Sequence, residues 1–83
     1  MRILFKDYEG QIYVEEITST DYDIENQLAL FTPLESDGSW FYVVEEIIQE
    51  EYEYFVRALY DNGRIDLTRH KVCFASVDDD YEN

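Results

Sequence analysis

The chain has one histidine and one cysteine, His70 and Cys73, three positions apart. As a thiolate and imidazole they would supply a nucleophile and its base, and as ligands they would begin a zinc site. The surrounding residues support neither chemistry. The run from Lys71 to Val77 alternates like a strand, which turns His70 and Cys73 to opposite faces, and no second Cys or His completes a metal shell. A core thiol and a surface imidazole are expected instead. Ser19, Ser36, Ser39 and Ser76 lack a G-x-S-x-G setting, and the three glycines form no phosphate-cradling loop. The stretch DYDIEN, from Asp21, begins like a calcium loop. Its sixth and twelfth positions are Asn26 and Thr32, where such a loop needs Gly and a bidentate Glu. No catalytic residue, metal or cofactor is therefore expected, nor a concave pocket of convergent polar groups.

What the chain carries in quantity is carboxylate. Twenty Asp and Glu stand against six Lys and Arg, a net charge of -14. The excess lies entirely between Asp7 and Val56, where fourteen acids occur without a base; outside that stretch six acids and six bases cancel. Among so many acids some pair always falls at glycosidase-like separation, so proximity identifies no active site. Nucleic-acid backbones and anionic membranes are bound through clustered Lys and Arg, so the charge argues against direct binding to either. The acids are interleaved with tyrosine, as in Asp21-Tyr22-Asp23 and Glu51-Tyr52-Glu53-Tyr54. Tyrosine offers rigid contact area with a polar tip, and carboxylates steer a basic partner.

The elements that must position these groups follow from periodicity. Arg2 to Tyr8 and Gln11 to Ile17 alternate as two strands of a hairpin turning at Gly10. Thr18 to Asn26 is polar and reads as a loop, Gln27 to Thr32 as a third strand, and Trp40 to Val44 as a fourth after the turn around Gly38. Thr20 with Asp23 also resembles a capping box, which would make a short helix through Ile24, Leu28 and Phe31 the alternative for Thr18 to Phe31. From Glu45 to Asp61 apolar residues recur at helical spacing, and Asn62-Gly63 supplies a left-handed stop. Arg64 to Leu67 and Lys71 to Val77 make one bent strand or two short ones. The expected fold is α+β: a small, mostly antiparallel sheet of four to five strands, in the order β-β-β-β-α-β, with one amphipathic helix packed on one face. Tyr13, Tyr42 and Tyr52 fall at positions expected to be buried. Residues 1–77 form the expected single domain and 78–83 an acidic, frayed tail. A domain this small buries only about 60 to 65 % of its unfolded surface, so its stability margin is thin.

In such a helix Glu46, Glu50 and Glu53 would form a row spaced by about 4.5 to 6 Å along the axis, comparable to the charges of a nucleic-acid strand. Glu45 and the loop acids Asp21, Asp23 and Glu25 would supply a second row, with Tyr54 beside them. In composition and size the chain resembles the DNA-mimic inhibitors of phages and mobile elements, the anti-restriction and anti-CRISPR proteins. That resemblance implies a non-enzymatic protein whose partner is basic, a nucleic-acid-binding protein or nuclease. The competing expectation is a generic interaction module, closing a homodimer through Trp40, Phe41 and Tyr54. The bases Arg64, Arg69 and Lys71, with His70, are expected to neutralise neighbouring acids. A lone cysteine suits a reducing, cytoplasmic setting, and the apolar run Ile3 to Phe5 is too short for a signal peptide or membrane span.

Overall fold

A computed structural model describes residues 1–77; the acidic tail expected at 78–83 lies outside the described residues. Its elements are β1 (Arg2–Lys6), β2 (Ile12–Asp23), β3 (Leu28–Pro33), β4 (Trp40–Val44), α1 (Gln49–Asn62), β5 (Arg64–Asp66) and β6 (Val72–Ser76). The fold is α+β as expected. The sheet has six strands in the order β5-β1-β2-β3-β4-β6, and it is mixed, because β5 pairs with β1 in parallel while the other neighbours are antiparallel.

The sheet is strongly curled. Laid flat, six strands about 4.8 Å apart would separate β5 from β6 by about 24 Å. Only residues 67–71 join them, reaching about 20 Å at full extension. That connection is itself turned, with the His70 N–H bonded to the Leu67 carbonyl at 3.0 Å. The edges must therefore bend toward each other, and the ring centroids of Phe5 on β1 and Tyr42 on β4 lie 5.0 Å apart although two strands intervene. The corner is in β2. Its first half pairs with β1 and its second with β3, with a register shift between Ile17 and Ser19, the bulge by which one strand serves two sheets.

This bulge corrects the expected loop at Thr18 to Asn26. Before it the inward side chains are odd-numbered, ending at Ile17; after it they are Thr20 and Tyr22, opposite Phe31 and Ala29 of β3. The phase slip hides a continuous strand from a test of strict alternation. Thr20 is polar yet satisfied inside, sharing a 2.8 Å hydrogen bond with the Tyr52 hydroxyl. No helix forms there: Ile24 is exposed in a turn, and Leu28 and Phe31 face opposite sides of the sheet.

The concave side holds the main core of Ile3, Ile17, Phe31, Val44, Ile47 and their neighbours, onto which α1 drops Phe55 and Leu59. A smaller cluster of Leu28, Val43 and Ala75 lies on the convex side. The helix begins at Gln49, not Glu45, so Glu45 and Glu46 are outside it. Ile47 is the reason. It is fully buried, its N–H donates to the Gln27 carbonyl at 2.9 Å, and its carbonyl accepts from the Tyr22 hydroxyl, so its backbone is committed before the helix starts. Glu46 takes a positive φ of 60° to let Ile47 turn in, and Ile48 is extended as N-cap. At the other end Gly63, at φ 76°, donates its N–H to Leu59 at 2.9 Å, the left-handed termination that the sequence signals. Gly63→Ala meets no neighbour within 4 Å but must still adopt that φ. The expected cost is about 1 to 2 kcal/mol, a fall of several degrees in melting temperature on thermal unfolding; an unchanged midpoint would contradict the left-handed cap.

Candidate functional site

Of the acids expected to bind a partner, Glu25, Glu45, Glu46 and Glu50 gather at one end of the molecule, and not as two rows. The Asp23–Gln27 turn and the Glu45–Ile48 loop are stitched together by the Gln27 and Tyr22 bonds to Ile47. Glu25 in the first and Glu45 and Glu46 in the second are all exposed, and the exposed Glu50 follows in the first turn of α1, where the helix dipole favours negative charge. Glu53 and Tyr54 continue along the exposed side of the helix. Glu46 does not belong to a helical row with Glu50 and Glu53, because it precedes the helix. Asp21 and Asp23 pair across the sheet with Leu30 and Leu28, which puts them on the convex side, away from the helix. Asp23 is also a structural acid. It accepts from the Glu25 and Asn26 N–H groups and from the Asn26 amide at 2.9 to 3.2 Å, and the Asn26 side chain leads in holding its carboxyl below the usual range.

Other expected groupings come apart. Trp40 and Phe41 point to opposite faces of β4, and Tyr54 stands on α1, so the three do not form one dimerising patch. His70 is not on a strand and not simply at the surface. It lies in the 67–71 connection with its ring edge-on to Phe55 at 5.6 Å, its Nε2 3.4 Å from a Glu51 carboxylate oxygen, and its Nδ1 without a hydrogen-bond partner. Cys73 is half-buried, opposite Val43 on the convex side, rather than a fully buried core thiol. Among the described residues no three His, Cys, Asp or Glu side chains converge as metal ligands, and no helix is long and apolar enough to cross a membrane.

Sequence reasoning missed a chain of five aromatic rings on the concave side. Tyr13 stacks on Phe5 at 5.7 Å, Phe5 meets Tyr42 at 5.0 Å, Tyr42 meets Trp40 edge-on at 5.6 Å, and Trp40 stacks on Phe74 at 5.0 Å. These residues come from β1, β2, β4 and β6, and no residue of α1 joins them. Tyr13 and Phe74 are exposed, so the burial expected for Tyr13 is not found, whereas Tyr42 and Tyr52 do pack against the core. The signal was present as aromatics at alternate strand positions, Trp40 and Tyr42 above all. Only the curl places β1 opposite β4. Between β1 and β6 the rings floor an open cleft of about 640 Å³, walled by Lys6, Arg69, His70 and Lys71. The expectation concerns a pocket of convergent polar groups; this cleft is floored by rings, with its charged groups at the walls.

Electrostatics within the ring chain are local. Asp7 pins the β1–β2 turn by accepting from the Glu9 and Gln11 N–H groups at 2.9 Å and from the Tyr13 hydroxyl at 3.1 Å. The Gln11 bond leads in holding its carboxyl below the usual range, and the same carboxylate pushes the Tyr13 phenol up. Burial, then the charge of Glu15, pushes Tyr42 up to about 12. Comparison with protein-family models, with curated proteins and with solved structures gives no match for this chain.

Tyr42 sets an alkaline limit on the fold. Its phenol ionises near 10 in the unfolded chain and near 12 in the folded one, so its contribution is complete below pH 10 and is lost as pH rises toward 12. Alkaline absorbance titration is expected to show a late tyrosine step near pH 12 that disappears in Tyr42→Phe. A late step surviving that substitution would reassign it.

Proposed function

We propose that this chain is a protein-binding module whose acidic end engages a basic, groove-shaped partner, with nucleic-acid-binding proteins as the class such a groove implies. The observation that carries the reading is the stitching of the β2–β3 turn to the β4–α1 loop through Ile47, which gathers Glu25, Glu45, Glu46 and Glu50 at one end. Like charges repel when so placed, and the described residues contain few compensating contacts: the N-terminus and Arg2 both go to Glu16, and His70 goes to Glu51. A small domain with a thin stability margin tolerates that repulsion more readily where a partner relieves it. Tyr54, two-thirds exposed beside Glu53, offers contact area at the rim. Imitation of a phosphate strand would rest on this single cluster, since the helical row and the second row are absent.

The test is capture of partners on the full chain, with salt and duplex DNA as competitors. A nucleic-acid-binding partner that elutes between low and moderate salt and is displaced by DNA is the expected result. The combined variant Glu25→Gln, Glu45→Gln, Glu46→Gln and Glu50→Gln is expected to weaken that partner roughly tenfold, at about 0.2 to 1 kcal/mol for each exposed pair, while raising thermal stability at low salt. Salt-insensitive partners without a basic cleft, or a variant that binds as before, would refute the reading.

A further inference from the structure

The bases are as informative as the acids. Three of the six Lys and Arg residues, Lys6, Arg69 and Lys71, line the same cleft between β1 and β6. Among the described residues none of the three makes an ion pair within 4.0 Å, in a chain where acids outnumber bases more than threefold. The neutralising role expected of Arg69 and Lys71 is therefore exercised through space and not by close pairs. Lys6 and Arg69 act on Asp66 through space, but that carboxylate is already held by the Thr68 N–H at 2.9 Å and hydroxyl at 2.6 Å. Glu45 and Glu46 border the 69–71 segment on its other flank without reaching ion-pair distance. Asp7, the acid of the cleft itself, is occupied by its own turn.

Beneath and beside these cations lie Phe5, Tyr42 and Phe74, with Tyr8 entering from the hairpin turn. Phe74 and Tyr8 are 66 % and 96 % exposed, so both rings are accessible to a ligand in the cleft. A volume of about 640 Å³ falls in the ordinary range of small-molecule sites. Cations that bind oxyanions, beside rings that stack on a planar group, define one ligand chemistry.

We infer that the cleft between β1 and β6 binds a small ligand that combines a planar ring with a phosphate, the chemistry of a mononucleotide. The ring stacks on Phe74 and Tyr8, and the phosphate sits among Lys6, Arg69 and Lys71. Size follows from the charge. A polynucleotide passes beyond these three cations within a residue or two and enters the field of a -14 molecule, whereas a single phosphate stays beside them, where Asp7 and Asp66 are already engaged in their own turns. This inference does not rest on the proposed protein-binding role, although Glu45 and Glu46 of the acidic end border Arg69 and Lys71 on their other flank.

The test is titration of the full chain with adenosine monophosphate, and separately with adenosine and with ribose 5-phosphate, followed by Trp40 fluorescence and by amide shifts at Tyr8, Lys71 and Phe74. Trp40 reports because it stacks on Phe74. The nucleotide is expected to bind more tightly than either fragment. Phe74→Ala is expected to weaken it at least about fivefold, down to the level of ribose 5-phosphate. Arg69→Gln with Lys71→Gln is expected to weaken it roughly tenfold, down to the level of adenosine. All three positions are exposed, so an unchanged thermal midpoint will show that these variants fold. No saturable binding at millimolar nucleotide overturns the inference, as does nucleotide binding no tighter than either fragment or indifferent to both substitutions.

Discussion

The two edge strands of the sheet, β5 and β6, are tied together by five residues, and that short tether governs the rest of the molecule. It forces the curl, the curl needs a corner, and the corner is the bulge in β2. Once curled, the sheet has an inside with two unequal halves. One half is closed by α1, whose Phe55 and Leu59 complete an aliphatic core with Ile3, Ile47, Ile65 and Leu67; each such fully buried side chain contributes about 1.5 to 3 kcal/mol. Among the described residues the other half has no helix over it and is filled by rings rather than aliphatics. Large flat side chains bridge a curved gap that Val or Ile could not span, which is why Phe5 can touch Tyr42 from three strands away.

Local features of this fold were legible because they depend on local patterns. Strand β4 stands where its β-branched and aromatic run puts it, the hairpin turns near Gly10, and the helix ends at Gly63. Features set by distant partners were not legible. The helix start moved from Glu45 to Gln49 because Gln27 and Tyr22 claim the backbone of Ile47. The second half of β2 was hidden because a bulge reverses which side chains face inward. The acidic cluster was legible as composition but not as shape, since Asp21 and Asp23 fall on the convex side. The aromatic cleft was invisible for a related reason: its residues span Phe5 to Phe74, and nothing in the spacing of either announces the other.

The carboxylates divide into two kinds. Asp7, Asp23, Asp37 and Asp66 each accept hydrogen bonds within their own turns and are held below the usual carboxyl range by them, led by the Gln11 backbone N–H for Asp7 and by the side chains of Asn26, Ser39 and Thr68 for the other three. These acids shape the chain, and a good part of the acidic composition is explained without any partner. Most of the glutamates have no such duty. Glu25, Glu45, Glu46 and Glu50 sit exposed at one end, where their mutual repulsion is eased by solvent and salt and, for Glu45 and Glu46, by Arg69 and Lys71 across a shared surface.

The parallel pairing of β1 with β5 sets Arg2 opposite Arg64, sixty-two positions later. On the ribosome, therefore, β1 emerges well before it can find its full set of neighbours. Until Arg64 to Asp66 have emerged, β1 has only the β2 hairpin for company and Ile3 lacks its cross-strand partner Ile65. Such distant pairing slows folding, because the entropy of closing a long loop is lost before the contact rewards it. A nascent chain keeps an unfinished, apolar sheet edge from the time β1 emerges until β5 does, and its many carboxylates are well suited to keeping that edge from meeting another like it.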